Sequence, residues 1–213
     1  MTYRRMVACL IVASAVPHAE SGAQSGAIRG AVTAAHTAVA DAVVFLVPAA
    51  PFATATPPIT AEMDQRALRF VPHVITVTPG SSVSFSNSDR VMHNVFHPLR
   101  GGGGFDLGLF GPGERRSFTF GQEGAYVIFC HVHPEMVGYV VVLATPWRAV
   151  TDDSGRFVLE NVPVGAYTLR TWHSRFEEHR QQVTIGPGEG EHLEILLTRG
   201  APGEPRVGPP TAR

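Results

Sequence analysis

The chain has 213 residues, of which 44% are hydrophobic and 16% are charged, and its formal net charge is −1 at pH 7. This length allows one large domain or two small ones, and the apolar content is sufficient for a globular core. A charge so close to neutral argues against a nucleic-acid-binding protein, which would carry a basic excess.

The first 23 residues are typical of a secretory signal peptide. Arg4 and Arg5 precede an apolar stretch at 6–16, and small residues follow at 19–23, where a peptidase could cut. The apolar stretch is too short to span a bilayer, and no later segment approaches membrane-span length. We therefore expect an exported protein without a membrane span, either periplasmic or secreted.

Short alternating or wholly apolar runs, separated by turn residues, predict β-strands along most of the chain. A Pro- and Thr-rich linker at 50–60 and a glycine-rich break at 99–104 interrupt them. No segment shows the periodicity of an amphipathic helix, so the predicted fold class is all-β and sandwich-like. The Pro- and Gly-rich tail at 200–213 is predicted to be disordered. The predicted strand regions lie within 27–34, 40–48, 69–89, 105–120, 124–130, 137–144, 149–173 and 181–198.

The chain has two cysteines, Cys9 and Cys130. Cys9 lies in the predicted signal peptide and leaves with it, so Cys130 remains alone in an oxidising compartment. A lone cysteine there indicates an intermolecular disulfide, a buried inert thiol or a metal ligand. The residues around Cys130 favour the metal ligand.

Cys130 opens a run of metal-binding side chains in the segment FCHVHPEMVGYVVV (129–142). Cys130, His133 and Met136 follow one another at three-residue intervals before an apolar strand, and His93 lies upstream after a strand and a polar turn. A copper ion that exchanges one electron favours a thiolate, two imidazoles and a weak fourth ligand. A distant histidine together with a Cys-x-x-His-x-x-Met loop is the pattern that such a site needs.

The segments FVPHVITVTPGSSVSFSNSD (70–89), HNV (93–95) and GAYVIFCHVHPEMVGYVVV (124–142) resemble the plastocyanin/azurin family of blue copper proteins, the cupredoxins. The copper loop, with a proline directly after the ligand histidine, is amicyanin-like. The resemblance covers residues 62–143 and implies a cupredoxin Greek-key β-sandwich over 60–144 with one type 1 copper. The ligands that it implies are His93, Cys130, His133 and Met136. It also implies that Asn94 ties the two ligand-bearing loops together by hydrogen bonds.

Three further side chains near this pattern stay open as extra ligands. Glu135 is the rival of Met136 for the fourth position, because a carboxylate would make a harder copper centre. Met136 would then be ordinary core packing. His97 and His131 are expected to be solvent-exposed near the site, and strand alternation directs His131 away from Cys130. The alternative is that these two histidines hold a second, loosely bound copper ion.

A second resemblance involves the segment TDDSGRFVLENVPVGAYTLRTWH (151–173), which is similar to the carboxypeptidase regulatory-like (transthyretin-like) domain. Such domains open with a strand pair, and a matching pair occurs within 27–49, at the other end of the chain. We therefore expect residues 27–49 and 146–199 to form one smaller transthyretin-like β-sandwich, with the copper domain inserted between them. The alternative is that the N-terminal strands extend the cupredoxin sheet.

Together these features predict an exported type 1 (blue) copper protein that carries single electrons between redox partner proteins. The partners are expected to dock near His133, where Val132 and Pro134 would contribute to a small apolar patch. A transient redox encounter needs little more than such a patch. The protein is not expected to be an enzyme, because copper enzymes of this kind need further histidine clusters and the chain has no second set.

Two other functions remain as alternatives. In a periplasmic copper storage or delivery protein, His97, His131 and Glu135 would assist the transfer of copper. A structural adhesion module with a vestigial site would bind no metal.

Overall fold

The structure is a computed structural model that describes residues 24–50, 56–98 and 104–200. The predicted signal peptide at 1–23 lies outside the described residues, as does the predicted disordered tail apart from Gly200. All regular secondary structure in the described part of the chain is β-strand, so the predicted all-β fold class is confirmed. The described residues contain no helix that is long and apolar enough to cross a membrane.

Seventeen strands follow one another in the described residues, and the shortest have only two residues. In chain order they are β1 (Ser25–Ala34), β2 (Thr37–Ala38), β3 (Val43–Pro48), β4 (Thr60–Gln65), β5 (Phe70–Val71), β6 (Val74–Val77), β7 (Ser81–Asn87), β8 (His93–His97), β9 (Phe105–Phe110), β10 (Arg115–Phe120), β11 (Gly124–Phe129), β12 (Val137–Val142), β13 (Arg148–Val150), β14 (Arg156–Pro163), β15 (Gly165–Trp172), β16 (His179–Ile185) and β17 (Gly188–Leu196).

Strands β4 to β12 form two sheets that we call the central sandwich. One sheet has the strand order β10-β7-β4-β5, and the other has the order β6-β12-β11-β8-β9. In β7 every second residue is buried, and Val83 and Phe85 are fully buried on the inner face. Phe110, Phe120 and Val140 belong to the same core cluster. Apolar burial between the two sheets is the main force that holds this sandwich together.

The strands that precede and follow the central sandwich form a second pair of sheets, which we call the flanking sandwich. β1 lies between β14 and β17 and also pairs with β2, and β3 lies between β13 and β15, with β16 beyond β15. Neither β1 nor β3 joins a sheet of the central sandwich. The core contains Ile28 and Leu46 from the N-terminal strands and Leu159, Leu169 and Ile195 from the C-terminal strands. The two ends of the described chain thus share one hydrophobic core.

A third apolar cluster joins the two sandwiches. Val43 and Phe45 of β3 pack with Val74, Val141 and Leu143 of the central sandwich, and all five side chains are buried. The five-stranded sheet is therefore covered on its outer side as well as on its core side. This explains why β12 has an almost continuous apolar sequence rather than an alternating one.

Candidate metal centre

Three of the four predicted ligands come together at one end of the central sandwich. His93 is the first residue of β8, Cys130 directly follows β11, and His133 lies in the loop before β12. Because β8 and β11 are antiparallel neighbours, the start of β8 lies beside the end of β11. His93 and Cys130 are buried, whereas His133 is half-buried.

The ligand atoms of these three residues form a compact triangle. The Cys130 Sγ lies 3.8 Å from the His93 Nδ1 and 3.9 Å from the His133 Nδ1, and the two Nδ1 atoms are 3.0 Å apart. Metal–imidazole bonds of about 2.0 Å and metal–thiolate bonds of about 2.3 Å put sulfur and nitrogen about 3.7 Å apart in a trigonal arrangement. The triangle therefore fits a single metal ion between the three atoms. In the described part of the chain, His93, Cys130 and His133 are the group of three metal-binding side chains whose ligand atoms lie close enough together to hold one metal ion.

The carboxylate of Asp89 binds the His93 ring at the nitrogen that faces away from the other two ligand atoms. The Asp89 Oδ2 lies 2.9 Å from the His93 Nε2, which leaves the Nδ1 facing the other two ligand atoms. The same carboxylate accepts hydrogen bonds from the backbone N–H groups of Ala67 and Leu68, at 2.6 and 3.0 Å. Burial alone would raise the pKa of Asp89, but the hydrogen bonds from the Leu68 amide and the His93 ring outweigh it and lower that pKa.

Asn94 connects β8 to the loop that carries the other two ligands. Its Oδ1 accepts a hydrogen bond of 2.7 Å from the backbone N–H of His131, and its Nδ2 donates to the Asp106 Oδ1 at 3.2 Å. A second backbone bond, from Met136 N–H to the carbonyl of His133, closes the turn within that loop. The loop is therefore held at its start by a side chain from another strand and at its end by its own backbone.

The two rivals for the fourth ligand position lie in different environments. Met136 is 1% exposed and belongs to the same apolar cluster as Cys130. Glu135 is exposed to solvent. A carboxylate that turned inward at this point would lose its hydration, whereas the thioether already lies in an apolar setting.

The remaining two candidates, His97 and His131, lie outside the triangle. The His97 Nδ1 is 2.8 Å from the carbonyl oxygen of Val127, and its ring packs against Tyr126. The His131 ring stacks on Phe96 at a centroid distance of 3.6 Å and faces the exposed carboxylate of Asp106. The structure thus separates these two histidines from the ligand atoms by turning each of them to another partner.

The expectation that both histidines are exposed is right for His131 and wrong for His97. His131 has a side chain that is 59% exposed, whereas His97 as a residue is only 8% exposed. The reason is that β8 runs on to His97 instead of ending in a turn before it. His93, Val95 and His97 are alternate residues of this strand and are all buried.

Asp89 is a residue of this centre that the sequence analysis missed. The available signal was the four-residue spacing between Asp89 and His93 in the segment DRVMH. Such spacing brings side chains together on a helix, but in an irregular turn it does not determine a contact. The sequence around Asp89 therefore contains no pattern that identifies this carboxylate as a partner of His93.

Three solved structures are similar to this chain over part of its length. A purple cupredoxin from Nitrosopumilus maritimus is 26% identical and covers 39% of this chain and 99% of its own, with a TM-score of 0.36. The amicyanin from Paracoccus versutus is 22% identical, and the match covers 46% of this chain and 97% of the amicyanin, with a TM-score of 0.37. A copper-containing nitrite reductase from Thermus scotoductus is 28% identical, and the match covers 46% of this chain and 26% of the reductase, with a TM-score of 0.39.

Two protein families match the sequence directly. Residues 58–143 match the copper binding proteins of the plastocyanin/azurin family, and residues 135–198 match the carboxypeptidase regulatory-like domain. Plastocyanin A'/A'' and plastocyanin B'/B'' of Nicotiana tabacum are each 34% identical to this chain over 91 residues, which are 37% of this chain and 92% of the plastocyanin. Both resemblances predicted from the sequence are confirmed, and the predicted copper requirement is supported. With two imidazoles and a thiolate arranged around one point, this chain belongs to the plastocyanin/azurin family of copper-binding proteins.

Proposed function

We propose that the protein is an exported type 1 (blue) copper protein that carries single electrons between redox partners and is not an enzyme. The observation that carries this proposal is the triangle of His93, Cys130 and His133 in a chain of the plastocyanin/azurin family. Bound copper would supply a one-electron Cu(II)/Cu(I) couple. The chain would supply a ligand geometry that changes little between the two states.

Several contacts support a rigid ligand set. His93 is fully buried and held by Asp89, and Cys130 is 2% exposed within the central core. Asn94 holds the backbone directly after Cys130 in place. Cys130 must bind as the thiolate, because a bound metal ion displaces the thiol proton. Ligands that are already in position reduce the rearrangement that an electron transfer requires.

We take Met136 as the weak fourth ligand. Its burial beside Cys130 in one apolar cluster supports this choice, and the exposure of Glu135 counts against the rival. A thioether is a soft, weak donor of the kind found at the axial position of trigonal His₂Cys copper sites.

Partner proteins would dock around His133, the half-buried ligand. Nine large hydrophobic side chains are exposed in the described residues, and five of them belong to segments next to the metal centre. We call these five side chains the apolar rim, and their exposed fractions lie between 40% and 54%. They are Leu68, Val91, Met92, Leu109 and Val132. An apolar surface beside a half-buried ligand suits a short-lived electron-transfer encounter.

The domain organisation that we propose has residues 60–144 as the copper domain and residues 27–49 with 146–199 as one discontinuous transthyretin-like sandwich. The position of β1 between β14 and β17, and of β3 between β13 and β15, supports this division. Export to the periplasm or beyond is supported by the composition of residues 1–23 and by a lone cysteine in the mature chain.

Copper storage or delivery is the alternative, and the surroundings of the triangle favour it less. Transfer of Cu(I) by ligand exchange needs accessible donors next to the site. His97 is buried and engaged with a backbone carbonyl, and His131 is turned toward Asp106. Glu135 remains as an exposed donor on the loop.

The test of the proposed function is a visible absorption spectrum of the purified mature protein after addition of Cu(II). We expect an intense thiolate-to-copper charge-transfer band, which Cys130→Ser abolishes. A protein that binds one equivalent of copper and stays colourless would contradict the blue-copper proposal. Repeated cycles of reduction and reoxidation in the presence of a Cu(I) chelator separate the alternatives, because a carrier keeps its copper and a delivery protein loses it.

A pair of neighbouring substitutions tests the fourth ligand. Met136→Gln should change the charge-transfer spectrum and the reduction potential, because an amide oxygen is a harder donor than a thioether. Glu135→Gln removes the exposed carboxylate of the next residue and should leave both quantities unchanged. The reverse pattern would assign the fourth position to Glu135.

A further inference from the structure

The buried side of the metal centre contains a carboxylate that is bound to the ring of a candidate ligand. The Asp89 Oδ2 is 2.9 Å from the His93 Nε2, and the side chains are 14% and 0% exposed. The His93 side chain has no solvent-exposed surface, so solvent does not reach this nitrogen from the side of the ring, whereas the carboxylate keeps a small exposed fraction.

The position of this carboxylate is determined by backbone groups from another part of the chain. Ala67 N–H donates to its Oδ1 and Leu68 N–H donates to its Oδ2. Both residues have positive φ angles, 53° and 57°, so two successive N–H groups of this turn point to the same side chain. Asp89 N–H in turn donates to the Asn87 Oδ1 at 3.0 Å. Asp89 is thus held in place whether or not the histidine ring is bound to it.

An ionised carboxylate can only accept hydrogen bonds, so the hydrogen between these groups belongs to the ring. His93 then carries its hydrogen on the Nε2 and presents the lone pair of its Nδ1 toward Cys130 and His133. A carboxylate on the far nitrogen also raises the basicity of the imidazole as a metal ligand. A stronger donor and a nearby negative charge both favour Cu(II) over Cu(I).

We propose that Asp89 is a positioning residue that fixes the tautomer and orientation of His93 and lowers the reduction potential of the bound copper. The part that concerns the potential rests on the proposed function. The part that concerns the tautomer is a property of the protein without metal. The two parts can therefore be tested separately.

The first experiment uses the metal-free wild-type protein. Nitrogen-15 NMR of the imidazole rings should show His93 as the neutral tautomer with hydrogen on the Nε2, and this hydrogen should exchange slowly with solvent. In Asp89→Asn the exchange should become faster, because a neutral amide oxygen is a weaker acceptor for the His93 ring N–H than an ionised carboxylate. A wild-type His93 with its hydrogen on the Nδ1 would overturn the proposal without reference to any variant.

The second experiment compares copper binding in wild type, Asp89→Asn and Asp106→Asn. For Asp89→Asn we expect the dissociation constant for Cu(II) to rise about 10- to 100-fold, the usual cost of losing a partner of a ligand histidine. The dissociation constant for Cu(I) should rise less, so the reduction potential moves upward. Circular dichroism of each variant checks that the sandwich is folded.

Asp106→Asn is the matched control. Asp106 faces His131, which is next to Cys130 in sequence, and its carboxylate is likewise within hydrogen-bond range of Asn94. The substitution removes one negative charge from the surroundings of the site while the new amide oxygen still accepts from Asn94. It should change the Cu(II) affinity much less than Asp89→Asn does, because Asp89 is bound to the ring of a ligand histidine and Asp106 is not. Equal potential shifts in both variants, or none in Asp89→Asn, would refute the role of Asp89. If the wild type binds no copper, the proposed function fails, and the NMR result alone decides the tautomer.

Discussion

His173, in the flanking sandwich, is a histidine that the fold keeps uncharged. It is 7% exposed, its Nδ1 accepts a hydrogen bond from the backbone N–H of Arg175, and its ring packs beside Phe176. Burial, followed by the positive charges of Arg175 and His73, lowers the pKa of His173 to about 4. Because its pKa differs between the folded and unfolded states, His173 makes the free energy of unfolding depend on pH.

The sign of this dependence follows from the two pKa values. The unfolded chain takes up the His173 proton as the pH falls through 6.5, whereas the folded protein takes it up only near pH 4. Above pH 7 both states are neutral and the group has no effect. Between about pH 6.5 and about pH 4 the free energy of unfolding should fall, by at most about 3 kcal/mol.

Urea unfolding of the metal-free protein at pH 7 and at pH 4.5 measures this effect. His173→Asn keeps an acceptor for the Arg175 amide but has no titratable group, so its stability should fall less between the two pH values. His192→Asn is the control, because the His192 side chain is 65% exposed. A pH dependence in His173→Asn as steep as that of the wild type would contradict the assignment.

At the scale of single elements, the loop between β11 and β12 depends on β8. Asn94 of β8 accepts from the backbone N–H of His131, at the first residue after Cys130. The loop itself contains only one further backbone hydrogen bond among its described contacts, from Met136 to His133. The ligand loop is thus ordered chiefly by a side chain that comes from 37 residues earlier in the chain.

Asn94→Ala should loosen this loop. Loss of the acceptor leaves the His131 amide without its partner, which costs about 1–3 kcal/mol of unfolding free energy when the amide is shielded from water. We also expect faster hydrogen exchange at the His131 amide and weaker copper binding. Asp106→Ala removes the other partner of Asn94 and should leave the His131 amide protected. Unchanged exchange at His131 in Asn94→Ala would show that the loop is ordered by other contacts.

At the scale of the whole molecule, the two sandwiches share buried surface. Phe45 of β3 is 1% exposed in the cluster that joins them, and the guanidinium of Arg170 lies 5.3 Å from the centre of its ring. Val141 contributes to this cluster from β12, the strand that follows the ligand loop. Because the same strand belongs to the central core on its other face, the stability of the two sandwiches should be coupled.

Phe45→Ala should therefore destabilise the copper-binding half of the chain although the residue lies outside it. We expect a loss of about 3–5 kcal/mol, as for other buried phenylalanines. Thermal unfolding of the copper-loaded protein, followed by circular dichroism and by the charge-transfer band, should show one common transition at a lower temperature.

Phe157→Ala is a second test of this coupling, because Phe157 lies in the core of the flanking sandwich and not in the shared cluster. If the two sandwiches unfold together, this substitution should also lower the temperature at which the charge-transfer band is lost. If the charge-transfer band of Phe45→Ala melts at the wild-type temperature, the two sandwiches unfold independently and the coupling is refuted.

The features that could be predicted from the sequence are those with a local cause. Alternation of apolar and polar residues, as in SSVSFSN, indicates a strand with one buried face whatever lies opposite it. The spacing of Cys130, His133 and Met136 is confined to one short loop, so the sequence alone singles them out as a candidate group. The continuous apolar run of β12 likewise indicates burial on both faces.

Which strands become neighbours depends on the tertiary structure, and the sequence pointed to the distant His93 and to the partnership of 27–49 with 146–199 only through resemblance to known families. Strand alternation and ligand spacing are short-range properties, so the residues alone indicate an all-β chain with a candidate metal-binding loop. The approach of His93 to Cys130, the anchoring of Asp89 by the turn at Ala67 and Leu68, and the burial of His97 all need sheet pairings between distant segments. The same holds for the cluster that joins the two sandwiches. Register and stacking between such segments are set by the packing of the complete core, and no short stretch of sequence contains that information.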